Sequence, residues 1–204
     1  MSRGRPRSFD PDEVLDKAMR VFWKRGFEGA SLADLEEATC LTRPSLYAAF
    51  GDKESLFAKS LAHYVKTSDF CVLDDMADPA ADPEAALRLL LSTIADFASC
   101  PTNPGGCFMV NCLVDTATGH DAARSVAQDA KNRRRADLTS LFKGAVERGV
   151  LKPGTDSVAL ADYFLAQIYA LALMGRAGDS KEIRQHVIDT ALQVLRMHRT
   201  DAAD

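Results

Sequence analysis

Aromatic side chains are scarce in this sequence of 204 residues: Phe, Tyr and Trp make up 7%, with one Trp and four Tyr. Alternating runs rich in Val, Ile and Thr are also missing, and the two lacks together exclude a β-sandwich or barrel. No Cys-x-x-Cys or His-x-x-x-His pair occurs. His63, His120, His186 and His198 fall on separate segments, so no chelating set is defined and neither a metal nor a cofactor is expected. The five cysteines (Cys40, Cys71, Cys100, Cys107, Cys112) are odd in number and unpaired in spacing, which reads as free thiols in a reducing compartment. A long, clean apolar run is absent too. The most apolar stretch, Val158 to Met174, contains Asp162 and Gln167 and reads as a core helix, not a membrane span. The polar start, Met-Ser-Arg-Gly-Arg-Pro-Arg, has no apolar segment of signal-peptide type behind it, and a cytoplasmic location is expected.

An excess of base is likewise lacking, since 25 Lys and Arg face 29 Asp and Glu for a net charge of −4. Residues 1–60 hold ten basic and ten acidic side chains, leaving 25 − 10 = 15 basic against 29 − 10 = 19 acidic ones beyond, so the whole deficit lies after residue 60. Arg3, Arg5 and Arg7 precede the first acid and concentrate positive potential in an N-terminal arm.

What is present is helical. Asp10-Pro11-Asp12-Glu13 opens a helix, with Asp10 as cap, Pro11 in the first turn and Glu13 placed to reach back as in a capping box. Val14, Leu15, Ala18, Val21 and Phe22 follow at helical spacing, and Arg25-Gly26 supplies the stop. Ser31 to Asp34 repeats the cap signature for a short helix over 31–39. Thr42 caps a shorter one that tolerates Pro44 in its first turn. Two short helices a few residues apart, with Leu35, Ala38, Leu41 and Leu46 between them, match a helix-turn-helix. A longer helix runs from Lys53 to about Phe70, and further helices are expected at about 83–99, 107–117, 121–148, 156–176 and 180–198. The fold class is therefore all-α: an N-terminal three-helix helix-turn-helix domain over 1–51 and a C-terminal helical bundle over 52–204, about nine helices in all.

A recognition helix needs small or polar side chains so that its backbone enters the major groove, and Thr42, Arg43, Ser45 and Ala48 suit that need. Arg43 is the expected base reader, because a guanidinium pairs bidentately with guanine. Ser31, Tyr47 and Lys53 are expected at phosphates, and Arg3, Arg5 and Arg7 along the backbone or minor groove. The run Phe27-Glu28-Gly29-Ala30-Ser31-Leu32-Ala33-Asp34-Leu35, followed by Leu41 to Phe57, closely resembles the N-terminal domain of TetR-family transcriptional regulators. The resemblance implies a homodimeric, all-helical repressor of double-stranded DNA with a small-molecule pocket in its C-terminal part, and it assigns phosphate contacts to the positions of Tyr47 and Lys53. Cys40 stands where the family usually has glycine in the turn, so strain or a differently wound turn is expected.

Pro104-Gly105-Gly106-Cys107-Phe108-Met109-Val110-Asn111 is a second constellation. Its Gly-Cys-x-x-x-Asn pattern resembles a TetR subgroup that includes repressors sensing electrophiles or oxidants. A thiol in a first helical turn sits near the positive end of the helix dipole, which favours thiolate, so Cys107 is a candidate sensor; a small buried hydrophobe is the other reading. An inducer pocket is expected between Cys107 and the helix over 156–176, walled by Phe97, Phe108, Asn111, Tyr163, Gln167 and Met174. Arg133-Arg134-Arg135 reads as a solvated face. The apolar helix over 156–176 and the stripe Ile183, Val187, Ala191, Val194, Leu195 predict a dimer interface; a helix buried wholly inside its own bundle is the other reading. Two other functions fit parts of the sequence. One is a thiol-dependent enzyme using Cys107, for which no His or carboxylate is placed as activator; the other is a helical adaptor without DNA binding.

Overall fold

A computed structural model describes residues 9–68, 81–115 and 120–200. Among them are nine helices: α1 (Pro11–Gly29), α2 (Leu32–Thr39), α3 (Arg43–Phe50), α4 (Lys53–Thr67), α5 (Pro83–Ala98), α6 (Phe108–Asp115), α7 (Asp121–Glu147), α8 (Ser157–Ala177) and α9 (Lys181–Met197). The only β pairing among the described residues is one bridge between Leu151 and Arg199. The expected all-α class is the observed one.

Local chemistry sets the helix ends. Asp10 Oδ1 accepts from Asp12 N at 2.9 Å, while Glu13 does not reach back as expected: it pairs with Lys17 at 2.7 Å, one turn on. Gly26 departs from helical geometry (φ 70°, ψ 176°), so the anticipated stop is a break after which the chain resumes to Gly29. Ser31 and Asp34 form a reciprocal capping box at the start of α2. α4 ends at Thr67, three residues before the expected Phe70, which lies outside the described residues.

α1 packs on α4 and α2, and α4 also packs on α7, so α4 is shared between the N-terminal helices and the bundle. α3 buries only Leu46 and Phe50, which offset part of the entropy of ordering eight residues; its position depends on α2 and α4. α5 to α9 form the bundle, with α8 packed on α5, α7 and α9. At its far end Glu84 accepts from Arg196 Nε at 3.1 Å, and Asp82 accepts from Arg199 at 3.0 Å, clamping the start of α5 to the end of the chain. The Arg196 hydrogen bond holds the Glu84 carboxyl below its ordinary range. This clamp is intact above the usual carboxylate range and is lost as pH falls through the depressed value.

The turn residue Cys40 is left-handed (φ 58°, ψ 25°) and exposed, so the chain keeps the glycine-like winding and carries the strain. Cys40→Gly is expected to stabilise the protein by about 1 kcal/mol, read as a raised denaturation midpoint with unchanged slope.

Candidate nucleic-acid interface and ligand cavity

Helix α3 turns two faces in opposite directions. Leu46 and Phe50 point into the core, while Thr42, Arg43, Pro44, Ser45 and Ala48 are exposed and Tyr47 is half-buried at the rim. The outer face therefore carries one cation, two hydroxyls and no bulky apolar group, dimensions suited to a major groove about 12 Å wide. The Arg43 guanidinium lies 5.1 Å from the Tyr47 ring centroid, a cation–π contact that keeps the side chain along the outer face. Thr42 occupies the N-cap of α3, yet its hydroxyl shares a hydrogen bond with Ser45 Oγ at 3.0 Å and caps no amide. The acceptor for Arg43 N is instead Glu36 Oε1, from α2, at 2.6 Å. Sequence reading missed Glu36, because a cap borrowed from a neighbouring helix leaves no local signature.

The expected phosphate contacts divide. Lys53 sits at the first turn of α4 with its ammonium 4.3 Å from the centroid of the Phe27 ring, held beside the helix start. Ser31 is committed inward: its hydroxyl donates to Asp34 Oδ2 at 2.7 Å and accepts from Asp34 N at 3.1 Å. The Ser31 bond is the main reason the Asp34 carboxyl lies below its ordinary range, with Arg25 at 3.1 Å adding to it. Arg3, Arg5 and Arg7 lie outside the described residues.

A cavity of about 400 Å³ opens between α4, α7, α8 and the entry to α6. Val65, Met109, Val126, Leu165 and Ile168 wall it, and Lys66, Arg133, Arg134 and Asp137 bring charge to it. Cys107 lines it as well, fully buried at the N-terminal end of α6, with the Tyr64 hydroxyl donating to its sulfur at 3.4 Å. Burial pushes the Cys107 thiol above its ordinary range and outweighs the Tyr64 bond, the α6 amides and the Arg134 charge, which act the other way. The expectation of a dipole-activated thiolate is thus corrected by desolvation. Tyr169 lines the cavity with a buried hydroxyl that has no hydrogen-bond partner among the described residues, and burial raises its pKa to about 12.

From this cavity a chain of contacts runs to the helix-turn-helix. Tyr64 meets the Trp23 ring edge-on at 5.2 Å between centroids, and Trp23 Nε1 donates to Gly105 O at 2.9 Å, two residues before Cys107. Trp23 belongs to α1, against which α2 is packed.

Comparison with known proteins matches both halves of the chain. A model described as bacterial regulatory proteins, tetR family, covers residues 14–59, and one described as tetracyclin repressor-like, C-terminal domain, covers residues 83–191. The HTH-type transcriptional repressor ComR of Escherichia coli (strain K12) is 34% identical over 194 residues, which is 95% of this chain and 92% of ComR. The chain belongs to the TetR family of transcriptional regulators. A cysteine-substituted form of the TetR regulator CifR, solved with 26-bp operator DNA, superimposes with a TM-score of 0.82 at 33% identity, covering 93% of this chain and 98% of that one. A TetR regulator from Cytophaga hutchinsonii gives a TM-score of 0.79 at 25% identity, covering 92% and 94%.

In this TetR regulator the cavity takes only Cys107 from the anticipated pocket residues. Phe108 is buried in an aromatic cluster with Phe57, Tyr64 and Trp23, and Phe97 stacks on Trp23 at 5.8 Å. Asn111 is buried beside Gly106, with its Nδ2 lacking a partner. Tyr163, Gln167 and Met174 lie elsewhere on α8 and do not line the cavity. The reason is rotation: α8 turns Leu165, Ile168 and Tyr169 to the cavity, a face that composition did not distinguish. The arginine triplet is a solvated face in part: Arg133 is exposed at the cavity rim and Arg135 forms an exposed pair with Asp162 through two bonds, one of 2.8 Å, while Arg134 is half-buried in the cavity wall. A signal was available in α7, where Val126, Ala130, Arg134 recur every four residues with Arg133 and Asp137 alongside.

Thiol chemistry follows from these environments. Hydrogen bonding from Thr102 lowers the Cys100 pKa, whereas burial raises that of Cys107. Iodoacetamide at neutral pH is expected to label Cys100 well before Cys107 when peptides are mapped by mass spectrometry, and labelling of Cys107 is expected to rise as pH passes the ordinary thiol range.

Proposed function

We propose that this TetR regulator is a dimeric one-component repressor that holds a palindromic operator through α3 and releases it when a small molecule fills the cavity beside Cys107. The observation that carries the reading is the contact chain from that cavity through Tyr64 and Trp23 to α1, which makes cavity occupancy and α3 placement parts of one packed unit. Arg43 reads bases, Thr42, Ser45 and Ala48 let α3 approach the groove, and Tyr47 and Lys53 position it on phosphates, with Arg3, Arg5 and Arg7 following the backbone or minor groove. Ser31 serves as a cap that orients α2. Residues 1–51 form the DNA-binding domain and 52–204 the ligand and dimer domain. CifR, solved on operator DNA, and ComR, a repressor by name, support this function over an enzyme or an adaptor.

The dimer forms through α8 and α9. Val158, Ala166 and Leu173 are exposed along α8, and Ile183 with the half-buried Val187 and Val194 follows along α9. The predicted α9 stripe is split, because Ala191 and Leu195 face the core of their own subunit. A two-fold axis through this surface carries two copies of α3 to half-sites about 34 Å apart. Release follows when ligand favours a spacing of the two α3 helices that no longer matches the DNA.

A second reading rests on Cys107 lining the same cavity: the Gly-Cys-x-x-x-Asn pattern resembles that of a subgroup that includes electrophile sensors, and on this reading a reactive inducer adds to the thiol. Footprinting on DNA upstream of the protein's own coding region, with and without an electrophile, tests both. A protected palindrome supports the repressor. Loss of protection in the wild type but not in Cys107→Ser supports the thiol sensor, and no preference over random duplex overturns the function.

A further inference from the structure

The cavity has an uneven chemistry that bears on what fills it. Among the described residues, Lys66, Arg133, Arg134 and Asp137 bring charge to a space otherwise walled by Val65, Met109, Val126, Leu165 and Ile168. The cations come from two elements, Lys66 from the end of α4 and the arginines from α7, so their convergence is tertiary and not the charge pattern of a single helix. Tyr169 adds a buried hydroxyl without a hydrogen-bond partner among the described residues, and it is near enough to Arg134 for that charge to act on it. A buried donor left without an acceptor costs about 1–3 kcal/mol, a cost that an incoming acceptor removes.

We propose that the ligand of this cavity is an amphiphilic organic anion, a hydrocarbon body carrying a carboxylate that lies toward Arg133 and Lys66 and accepts from Tyr169. The inference rests on the repressor reading and names the chemical class of its inducer. A cationic ligand is opposed by Lys66 and Arg133 at the rim, and a neutral hydrocarbon leaves the Tyr169 hydroxyl unsatisfied. A carboxylate supplies acceptors for guanidinium and hydroxyl together, while its chain covers the apolar wall. Tyr64, which lines the same cavity, touches Trp23 on the route toward α1.

Calorimetric titration of the full chain with octanoate, octanol and octylammonium, which share one body and differ in head group, tests this. Octanoate is expected to bind at least about tenfold more tightly than octanol, a margin of one charge-assisted hydrogen bond, and octylammonium more weakly than either. Tyr169→Phe, which keeps the ring, and the double change Lys66→Ala with Arg133→Ala, at exposed side chains, are each expected to shrink the preference for octanoate while helix content and melting temperature stay near wild type. Octanol binding as tightly as octanoate, a preference untouched by all three substitutions, or no octanoate binding at millimolar concentration overturns the inference. Operator retardation on the same preparations separates the two levels. Retardation without carboxylate preference sinks only the ligand class, whereas carboxylate binding without retardation sinks the repressor reading.

Discussion

Replacing Arg43 with alanine is expected to lower operator affinity by about 1–3 kcal/mol per half-site and to flatten the discrimination between operator and random duplex. Arg43 is the one cation on the exposed face of α3, and its contact with Tyr47 keeps it extended along that face. Lys53 lies off that face at the start of α4, so Lys53→Ala is expected to weaken operator and random DNA alike and to reduce the salt slope by about one counterion per subunit. Retardation titrations against both duplexes, at two salt concentrations, distinguish the outcomes. Equal losses on both duplexes for both variants would contradict the division into a reader and an anchor. Glu36→Ala provides a further check, since it removes the acceptor of Arg43 N and is expected to weaken operator binding without removing a group that touches DNA.

The largest loss of stability is expected at Gly175. A Cβ there meets Ala98 Cβ at 2.6 Å, Ala98 C at 2.7 Å and Ala98 O at 2.8 Å, and two of those three atoms are backbone. Nothing flexible stands in the way to yield, so Gly175→Ala forces α8 and α5 apart where they cross. The cost is about 3 kcal/mol, at the upper end for overpacking, and a fall in melting temperature of roughly 6–12 °C for a domain of this size. Gly178 is the control, three residues further on. It is left-handed (φ 80°), with nothing within 4 Å of a Cβ, so Gly178→Ala costs only the conformational strain of about 1–2 kcal/mol. If both variants melt together, the close crossing is not what Gly175 serves.

Much of the DNA-binding half was legible because its determinants are local. Caps at Asp10 and Ser31, Pro11 and Pro44 in first turns, and the apolar spacing of α1 act within a few residues, and each leaves a trace in the chain. Local signals also misled where another partner competed. Glu13 was taken by Lys17 and Thr42 by Ser45, each within about one turn, and the cap of α3 came from Glu36 on the preceding helix. Cys40 is the reverse case. Its left-handed turn was anticipated as a conflict, and the packing of α2 and α3 was strong enough to impose the conformation despite the side chain.

Sequence by itself determined the helical class, the order and approximate ends of the helices, the exposed face of α3 with Arg43 on it, and the family. The family was legible as a resemblance in the run from Phe27 to Phe57; the rest depend on periodicity and short-range hydrogen bonding, which are properties of neighbours along the chain. Tertiary structure alone decided the cavity beside Cys107: that Arg133 and Arg134 face it with Lys66, that Phe108 and Met174 do not line it, and that the Cys107 thiol is pushed up instead of activated. Those outcomes turn on how far each helix is rotated about its axis and on how much water its neighbours displace, and both are fixed only when separate helices pack.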